Sequence, residues 1–445
     1  MTSIRKRFLV AIVAVSGLAF LIAPGAARAS NRPKQGSRAR FGTPTLVTPP
    51  LGFGYEPTVL VDRFNNIFAI AHKENWQLVL APDLNSPTYT RSMSWAWVSE
   101  DGGNSFQDIP GLTPLSLEQH DFGDEGDIAF DDANHLYMVD TNVVDDTFTR
   151  WTVTGHGLGD ITADFTRPVI PTLQDTDDRP WVTAHGNGHV FYFGNEGDKK
   201  FGGRYLVYQS YDGGMTFSPV PTVLENSGWC RPAADHRPGS KYVYALCTND
   251  TGLLYAYVSS DDGHTFKRIT IGPYNKKMAL VWQSWPTPVV APNGTLYALF
   301  VDAKTVDGSG TPIVTTLRLL TSKDHGLHWK SQDITPSSMR GQFEYGWMAV
   351  SPRSSTRLGL GIYYRPNTKA DWRVYGAIWK AGQIPQLVSL DQTHPVANST
   401  EAQAPPDYLS SSFGPDDRLS VVWTQLAKRI APYVAFRYIY YARSL

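Results

Sequence analysis

The chain has 445 residues, a formal net charge of −1 at pH 7 and 18% charged residues, and this near-neutral balance argues against a nucleic-acid partner held by bulk electrostatics. Aromatic residues are abundant (13 Trp, 22 Tyr and 20 Phe), as are the turn-forming residues (38 Gly and 31 Pro). This composition is typical of a β-rich protein with many turns.

The first 29 residues have the pattern of an export signal. Basic residues 5–7 precede an apolar stretch at residues 8–22, and Ala27 and Ala29 form a small-x-small cleavage site. The alternative is a membrane anchor, but the apolar stretch is shorter than the roughly 20 residues that a span needs. The sequence therefore predicts a signal peptide at 1–29, a secreted bacterial protein, and no stable membrane insertion after cleavage. Removal of that segment lowers the net charge from −1 to −5.

One short pattern, S-x-D-x-G-x-x-(F/W), occurs four times, at residues 99–106, 210–217, 259–266 and 322–329. The Asp side chain can hydrogen-bond the backbone of a tight turn, the Gly accepts a positive φ, and the aromatic residue can fix the turn to a core. Turns of this kind recur where one supersecondary unit recurs, so we expect a repeat array.

A second repeat gives the number of units. Each unit begins at an anchor residue with a short strand, has a turn eight residues after the anchor, and continues with further strands. The seven anchors are Pro57, Gly126, Pro180, Pro232, Pro286, Gly346 and Pro406. Seven such units predict an all-β, seven-bladed β-propeller, a single domain over 43–445, after a flexible segment at 30–42. The last unit has only three strands, and residues 45–47 would complete it and close the ring. A six-bladed ring with one stray hairpin is the alternative.

The two cysteines fit this arrangement. The midpoint between Cys230 and Cys247 falls in the predicted turn of unit four, so the two residues should oppose one another across a hairpin. In an exported protein we expect a disulfide, with two free thiols as the alternative.

The four turns resemble the Asp-box, or BNR repeat, of the sialidase-like β-propeller superfamily. The resemblance implies that these aspartates form turns at the blade periphery, away from any active site. Sialidases also carry an R-I-P motif at the first inner strand, and the matching residues here are Tyr55, Glu56 and Pro57. The carboxylate-binding arginine of that motif is therefore missing, and Glu56 would repel an anionic sugar.

In propellers of this type the ligand pocket forms around the axis, at the beginnings of the inner strands. Aromatic rings there can stack on sugars, while carboxylates and arginines can orient hydroxyls or transfer protons. The predicted catalytic residues are Glu344, Tyr345 and Asp178. The predicted substrate-binding residues are Tyr55, Glu56, Arg179, Arg231, Trp285 and Asp407.

No metal site is expected. His185 and His189 are four residues apart, but a turn separates them, so they do not share a helix face as zinc-binding pairs do. The acidic residues at 120–127 are interpreted as a solvated turn, with calcium binding as the alternative. The sequence has no P-loop, dinucleotide fingerprint or G-x-S-x-G motif, so no cofactor is predicted.

These features predict recognition of a carbohydrate, or another extracellular ligand, at the axial pocket. The resemblance implies sialidase-like glycoside hydrolysis as the activity if the protein is an enzyme. A non-catalytic binding or scaffold propeller is one alternative. A polysaccharide lyase is the other, with Tyr345 as base and Arg231 neutralising a uronate.

Overall fold

The computed structural model describes residues 33–48, 54–73, 94–110, 125–141, 146–168, 179–195, 204–225, 227–248, 253–273, 286–308, 312–393, 395–396, 407–431 and 434–445. From Lys34 to Leu445 the chain forms one compact unit. Within the described ranges, no helix is long and apolar enough to cross a membrane.

The described strands form seven four-stranded antiparallel sheets, and in six of them each strand pairs with its neighbours along the chain. The chain opens with β1 (Thr45–Leu46). Blade 1 consists of β2 (Gly54–Val61), β3 (Ile67–Lys73), β4 (Trp95–Ser99) and β5 (Gln107–Asp108). Blade 2 consists of β6 (Glu125–Phe130), β7 (His135–Thr141), β8 (Asp146–Val153) and β9 (Ile161–Pro168). Blade 3 consists of β10 (Trp181–His185), β11 (His189–Asn195), β12 (Tyr205–Ser210) and β13 (Thr222–Leu224).

The remaining blades repeat the same order. Blade 4 consists of β14 (Trp229–Ala234), β15 (Val243–Thr248), β16 (Leu253–Ser259) and β17 (Lys267–Pro273). Blade 5 consists of β18 (Thr287–Val290), β19 (Leu296–Val306), β20 (Pro312–Ser322) and β21 (Lys330–Asp333). Blade 6 consists of β22 (Gln342–Val350), β23 (Arg357–Arg365), β24 (Arg373–Lys380) and β25 (Val388–Ser389). Blade 7 contains β26 (Ser410–Phe413), β27 (Leu419–Ala431) and β28 (Val434–Arg443).

The N-terminal strand β1 supplies the fourth strand of blade 7. Thr45 pairs with Tyr441 and Leu46 with Tyr440, antiparallel to β28. Both predictions, seven blades and closure by an N-terminal strand, are confirmed, and the six-bladed alternative is excluded. Closure of this kind covers a strand edge that would otherwise present unpaired backbone groups.

The residues before β1 also pair with the propeller. Gln35 forms a parallel bridge with Ile384, and Phe41 forms an antiparallel bridge with Ser444. The backbone N–H of Leu445 donates to the Arg40 carbonyl at 2.9 Å. The segment from Lys34 onward therefore lies along blades 6 and 7.

The middle strands are buried on both faces because each blade packs between two others. Val190, Phe191 and Tyr192 of β11 are all fully buried, although successive side chains of a strand point to opposite faces. Tyr192 clusters with Tyr137 of blade 2, whereas Phe191 belongs to the cluster shared with blade 4. Because both faces of the middle strands are buried, their sequences are continuously apolar and rich in aromatic residues.

The four S-x-D turns share one hydrogen-bond pattern and join neighbouring blades. In the first, Ser99 Oγ accepts from the Gly103 N–H at 2.8 Å, and Asp101 Oδ1 accepts from the Ser105 N–H at 3.0 Å. The same two bonds recur in the other three turns. The closing Phe106 packs edge-on against Tyr441 of blade 7, with ring centroids 5.2 Å apart. These aspartates are therefore turn formers at the outer strands, as the sequence predicted.

Cys230 and Cys247 are direct partners in the β14–β15 pairing and form a disulfide. Both residues are fully buried in blade 4. The predicted bridge across the hairpin is confirmed.

Candidate functional site

Four non-glycine residues at the start of inner strands have a left-handed backbone. They are Glu56 (φ 53°), Arg179 (φ 69°), Tyr345 (φ 49°) and Asp407 (φ 57°). A positive φ is unfavourable for residues with a Cβ, and such residues concentrate at functional sites. Bulges interrupt the β2–β3 pairing at Glu56 and the β22–β23 pairing at Tyr345, which re-aims both side chains. The same local distortion therefore recurs around one end of the axis.

Arg179 joins two of these residues. Its NH1 lies 3.3 Å from Glu56 Oε1, and its NH2 lies 3.5 Å from Asp407 Oδ2. Glu56 is 3% exposed and Arg179 is 9% exposed, whereas the Asp407 side chain is 22% exposed. Burial disfavours the charged guanidinium, but Glu56 and then Asp407 more than offset it and raise the pKa of Arg179 above its ordinary value. We call Glu56, Arg179, Glu344, Tyr345 and Asp407 the axial cluster.

His72 contacts Glu56 from the side of blade 1, and the Tyr55 ring packs edge-on against His72 with ring centroids 4.7 Å apart. His72 Nε2 lies 3.2 Å from Glu56 Oε2, and the backbone N–H of Glu56 donates to Thr424 Oγ1 at 3.2 Å. Burial, reinforced by the positive charges of Arg179 and Arg437, holds the pKa of His72 well below its usual range. His72 is therefore neutral and does not supply a positive charge to Glu56, whereas Arg179 does.

Glu344 is buried at the start of β22. Its Oε1 accepts a hydrogen bond from Gln342 Nε2 at 2.6 Å, and Gln342 in turn accepts from Arg365 Nε at 2.8 Å. Among the described residues, Glu344 Oε2 has no hydrogen-bond partner. Burial, with a contribution from the charge of Asp407, raises the pKa of Glu344 to about 8 despite the opposing effect of Arg365. The carboxyl group is therefore mainly protonated at neutral pH.

Tyr345 lies beside these charges and is 3% exposed. Burial raises the pKa of its hydroxyl well above the ordinary value, and Asp407 adds to this effect while Arg179 opposes it. The phenol is therefore a proton donor in this environment and a poor base.

Arg231 lies in an aromatic layer on the same axis. Its guanidinium lies 3.7 Å from the ring centre of Trp181 and 3.8 Å from that of Trp347. NH1 also lies 3.4 Å from Asp127 Oδ2, which accepts from the Val182 N–H at 3.2 Å. Burial lowers the pKa of Arg231 and raises that of Asp127, although each partner opposes the shift of the other. Four blades thus contribute to one compact layer.

A cavity of about 650 Å³ extends along the later residues of the inner strands. Arg231 and Trp347 form part of its wall, together with Asp235, Val289 and Ser411 among others. The aromatic layer thus borders this cavity, while the axial cluster is built from the residues at the strand starts.

The structure brings six of the nine predicted site residues together at the strand starts: Tyr55, Glu56, Arg179, Glu344, Tyr345 and Asp407. Arg231 lies in the aromatic layer. Asp178 and Trp285 lie outside the described residues.

Two residues of the site were not singled out from sequence. His72 pairs directly with Tyr55 across the β2–β3 hairpin, so the hairpin register could have identified it. Trp181 comes two residues after Arg179, but its contact with Arg231 of another blade has no sequence signal.

Neither a family model nor a curated protein sequence matches the chain. Several solved structures do match the fold of the chain. A GH74 enzyme of Niastella koreensis matches with 17% identity and a TM-score of 0.50 over 86% of this chain, which corresponds to 52% of that protein. An α-L-arabinofuranosidase of Fusarium graminearum matches with 12% identity and a TM-score of 0.43, covering 92% of this chain and 98% of that one. An intramolecular trans-sialidase of Ruminococcus gnavus matches with 9% identity and a TM-score of 0.41, covering 87% and 94%.

At these identities the likeness concerns the fold. The protein is a seven-bladed β-propeller whose structural neighbours include sialidases and related glycoside hydrolases. What the axial cluster does has to be argued from its own chemistry.

Proposed function

We propose that the protein binds a carbohydrate at the axial cluster and hydrolyses a glycosidic bond there, with Glu344 as general acid. The observation that carries the proposal is that Glu344 is buried with Oε2 lacking a hydrogen bond among the described residues, within range of the charge of Asp407. A carboxyl group that keeps its proton at neutral pH next to a second, more exposed carboxylate is the arrangement that glycoside hydrolysis uses.

Asp407 is the second carboxylate of the proposed mechanism. Its side chain is 22% exposed, so solvent and ligand can reach it, and Arg179 orients it from 3.5 Å. In this role Asp407 activates water or attacks the sugar while Glu344 protonates the leaving oxygen. Tyr345, held as a phenol, donates a hydrogen bond to the ligand. Asp178 and Trp285 stay predictions.

The charge of the axial cluster favours a neutral glycan. Arg179 is shared by two carboxylates, Glu56 and Asp407, so the positive charge is already matched. Tyr55 stands where sialidases carry an arginine. The engagement of Arg179 by two carboxylates and the missing arginine at Tyr55 together argue against recognition of a sialic acid carboxylate at this point. The high pKa of Tyr345 also argues against a lyase that uses this residue as base.

A non-catalytic binding propeller is the second candidate. One observation favours it: Arg179 satisfies both carboxylates internally, as purely structural ion networks also do.

We also propose that the four S-x-D turns are Asp-boxes of the sialidase-like superfamily, which the shared hydrogen-bond pattern and the propeller fold support.

The test is a glycan-array and chromogenic-glycoside screen of the protein from Ser30. Glu344→Gln should keep binding and lose turnover by about 100-fold or more, because the amide cannot donate a proton to the leaving oxygen. Glu225→Gln, at an exposed carboxylate, is the matched control and should behave as wild type.

Three results distinguish the candidates. Binding without turnover on any glycan would favour the non-catalytic propeller. Turnover that is unchanged in Glu344→Gln would reject Glu344 as the acid. If the protein neither binds nor hydrolyses any glycan in the screen, carbohydrate recognition itself is rejected.

We further propose that residues 1–29 are removed during export and that the mature protein is extracellular. The disulfide between Cys230 and Cys247 supports an oxidising compartment. The mass of the protein recovered from culture medium should correspond to a chain that begins at Ser30, and retention of the full-length chain in the cell would contradict export.

A further inference from the structure

We infer that His185, His189 and Asp262 form a binding site for a divalent transition-metal ion such as Zn²⁺, joining blades 3 and 4. The ligand atoms of the three residues all lie within 4.8 Å of one another. His185 Nε2 is 2.9 Å from Asp262 Oδ1, and His189 Nδ1 is 2.8 Å from Asp262 Oδ2. Two imidazoles and one carboxylate are a donor set that suits Zn²⁺ and related ions.

The histidines share a face because of a hairpin. His185 ends β10 and His189 begins β11, and the two are direct partners in the antiparallel pairing. Opposed residues of a hairpin project to the same side of the sheet, so a tight turn brings an i, i+4 pair together as effectively as a helix does. The sequence-based expectation of no metal here considered only the helical arrangement.

Asp262 is held towards them by its own strained turn. It occupies the position that Gly102 and Gly213 take in the first two S-x-D turns, and it adopts the same left-handed conformation, with φ 66°. Its backbone N–H donates to the Lys241 carbonyl at 2.9 Å, and its carbonyl accepts from Tyr211 Oη at 2.7 Å. A residue with a Cβ is less stable than glycine in this backbone conformation. The turn therefore loses some stability where Asp262 places its carboxylate beside the two histidines.

One nitrogen at this site has a close contact but no well-aligned hydrogen bond. His189 Nδ1 is buried and, among the described residues, makes no hydrogen bond of acceptable geometry, although Asp262 lies 2.8 Å away. A nitrogen lone pair and a carboxylate oxygen that lie close together without an aligned hydrogen bond can both be satisfied by a bound cation.

The proposed site is separate from the axial cluster. His185, the last residue of β10, comes six residues after Arg179, which corresponds to about 20 Å of extended chain. The His189 side chain is 34% exposed, so an ion can enter from solvent and keep one position for water. Binding would join the blade 3 hairpin to the blade 4 turn and stabilise their contact.

The first experiment uses the full mature protein, freed of metal by dialysis against EDTA and titrated with ZnCl₂. We expect one Zn²⁺ per chain by calorimetry and a rise in Tm of about 3 °C at 100 times the Kd. Co²⁺ should give the visible absorption of a nitrogen- and oxygen-coordinated ion. Ca²⁺, which prefers oxygen ligands, should give neither effect.

Two variants test the ligands. His189→Ala removes a partly exposed ring, and Asp262→Asn keeps the shape of a residue type that tolerates positive φ. Each should weaken Zn²⁺ binding by about 100-fold or more. His328→Ala is the control, because His328 also lies beside an aspartate, 2.6 Å from Asp324, but is exposed.

Absence of stoichiometric Zn²⁺ binding to the wild-type protein would overturn the inference. So would binding that survives in His189→Ala, or that is lost equally in His328→Ala. If Asp262→Asn fails to fold by circular dichroism, His189→Ala alone decides, since its side chain is the more exposed of the two.

Discussion

Arg179 and Glu56 are 123 residues apart in the chain, and their side chains meet at 3.3 Å at the start of two inner strands. Both residues have a positive φ, so both pay a backbone cost to make this contact. Asp407, from the last blade, completes the arrangement from the other side of the guanidinium. The ion pair therefore joins blades 1, 3 and 7, and its integrity depends on ring closure.

Replacement of Arg179 by Gln should lower the free energy of unfolding by about 3 kcal/mol, because Glu56 and Asp407 would lose their shared cation in a buried site. Arg204→Gln is the matched control: Arg204 and Glu225 form an exposed pair at 3.7 Å, and its loss should cost less than about 1 kcal/mol. Urea denaturation of both variants measures the difference. Equal losses would show that burial of the Arg179 pair has no energetic consequence.

Glu344 should make stability depend on pH. The folded protein holds this proton up to a pKa of about 8, whereas the unfolded chain releases it near 4.5. The stabilisation is therefore complete below pH 4.5 and is lost as the pH rises to 8, by an amount on the order of a few kcal/mol.

Glu344→Gln should remove this dependence, because the amide resembles the protonated carboxyl group and does not titrate. We expect the variant to gain stability over wild type as the pH rises from 5 to 8, measured by denaturation at each pH. Parallel profiles for wild type and variant would contradict a raised pKa at this position.

Gly214 should be far less replaceable than Gly239, although both have a left-handed backbone, with φ 81° and 74°. A Cβ at Gly214 would overlap the ring of Phe148 on the neighbouring blade, whereas one at Gly239 would meet no atom within 4 Å. Gly239→Ala should cost about 1 kcal/mol for its conformation alone, and Gly214→Ala about 2 kcal/mol more for the displaced ring. Chemical denaturation compares the two, and similar costs would show that the turn does not press against blade 2.

Deletion of residues 30–48 should destabilise the ring, because β28 would lose the pairing with Thr45 and Leu46 and expose an edge. We expect a lower Tm and association on size-exclusion chromatography, both reversed by a peptide of residues 34–48 that restores the strand. A chain that begins at Lys34 is the control. A truncated protein that stays monomeric with an unchanged Tm would show that closure does not need β1.

The blades could be predicted because their signals are local. Tight turns need Asp and Gly at fixed positions, as in 99–106, and doubly buried strands need continuous apolar residues, as in Val190–Phe193. The hairpin that joins Cys230 to Cys247 follows from the same local spacing. Such patterns also indicated which residues begin the inner strands, and hence that Glu56, Arg179, Glu344 and Asp407 would lie near one axis.

The sequence by itself thus determined the seven-bladed ring, its closure by residues near the N-terminus and the disulfide. Only the tertiary structure decided which polar residues touch: that Arg179 pairs with Glu56 and Asp407, that Arg231 lies between Trp181 and Trp347, and that Asp262 reaches His185 and His189. The physical reason is that these contacts join different blades. Their geometry depends on how sheets stack around the ring and on strained backbone at single residues, and neither leaves a periodic trace in the chain.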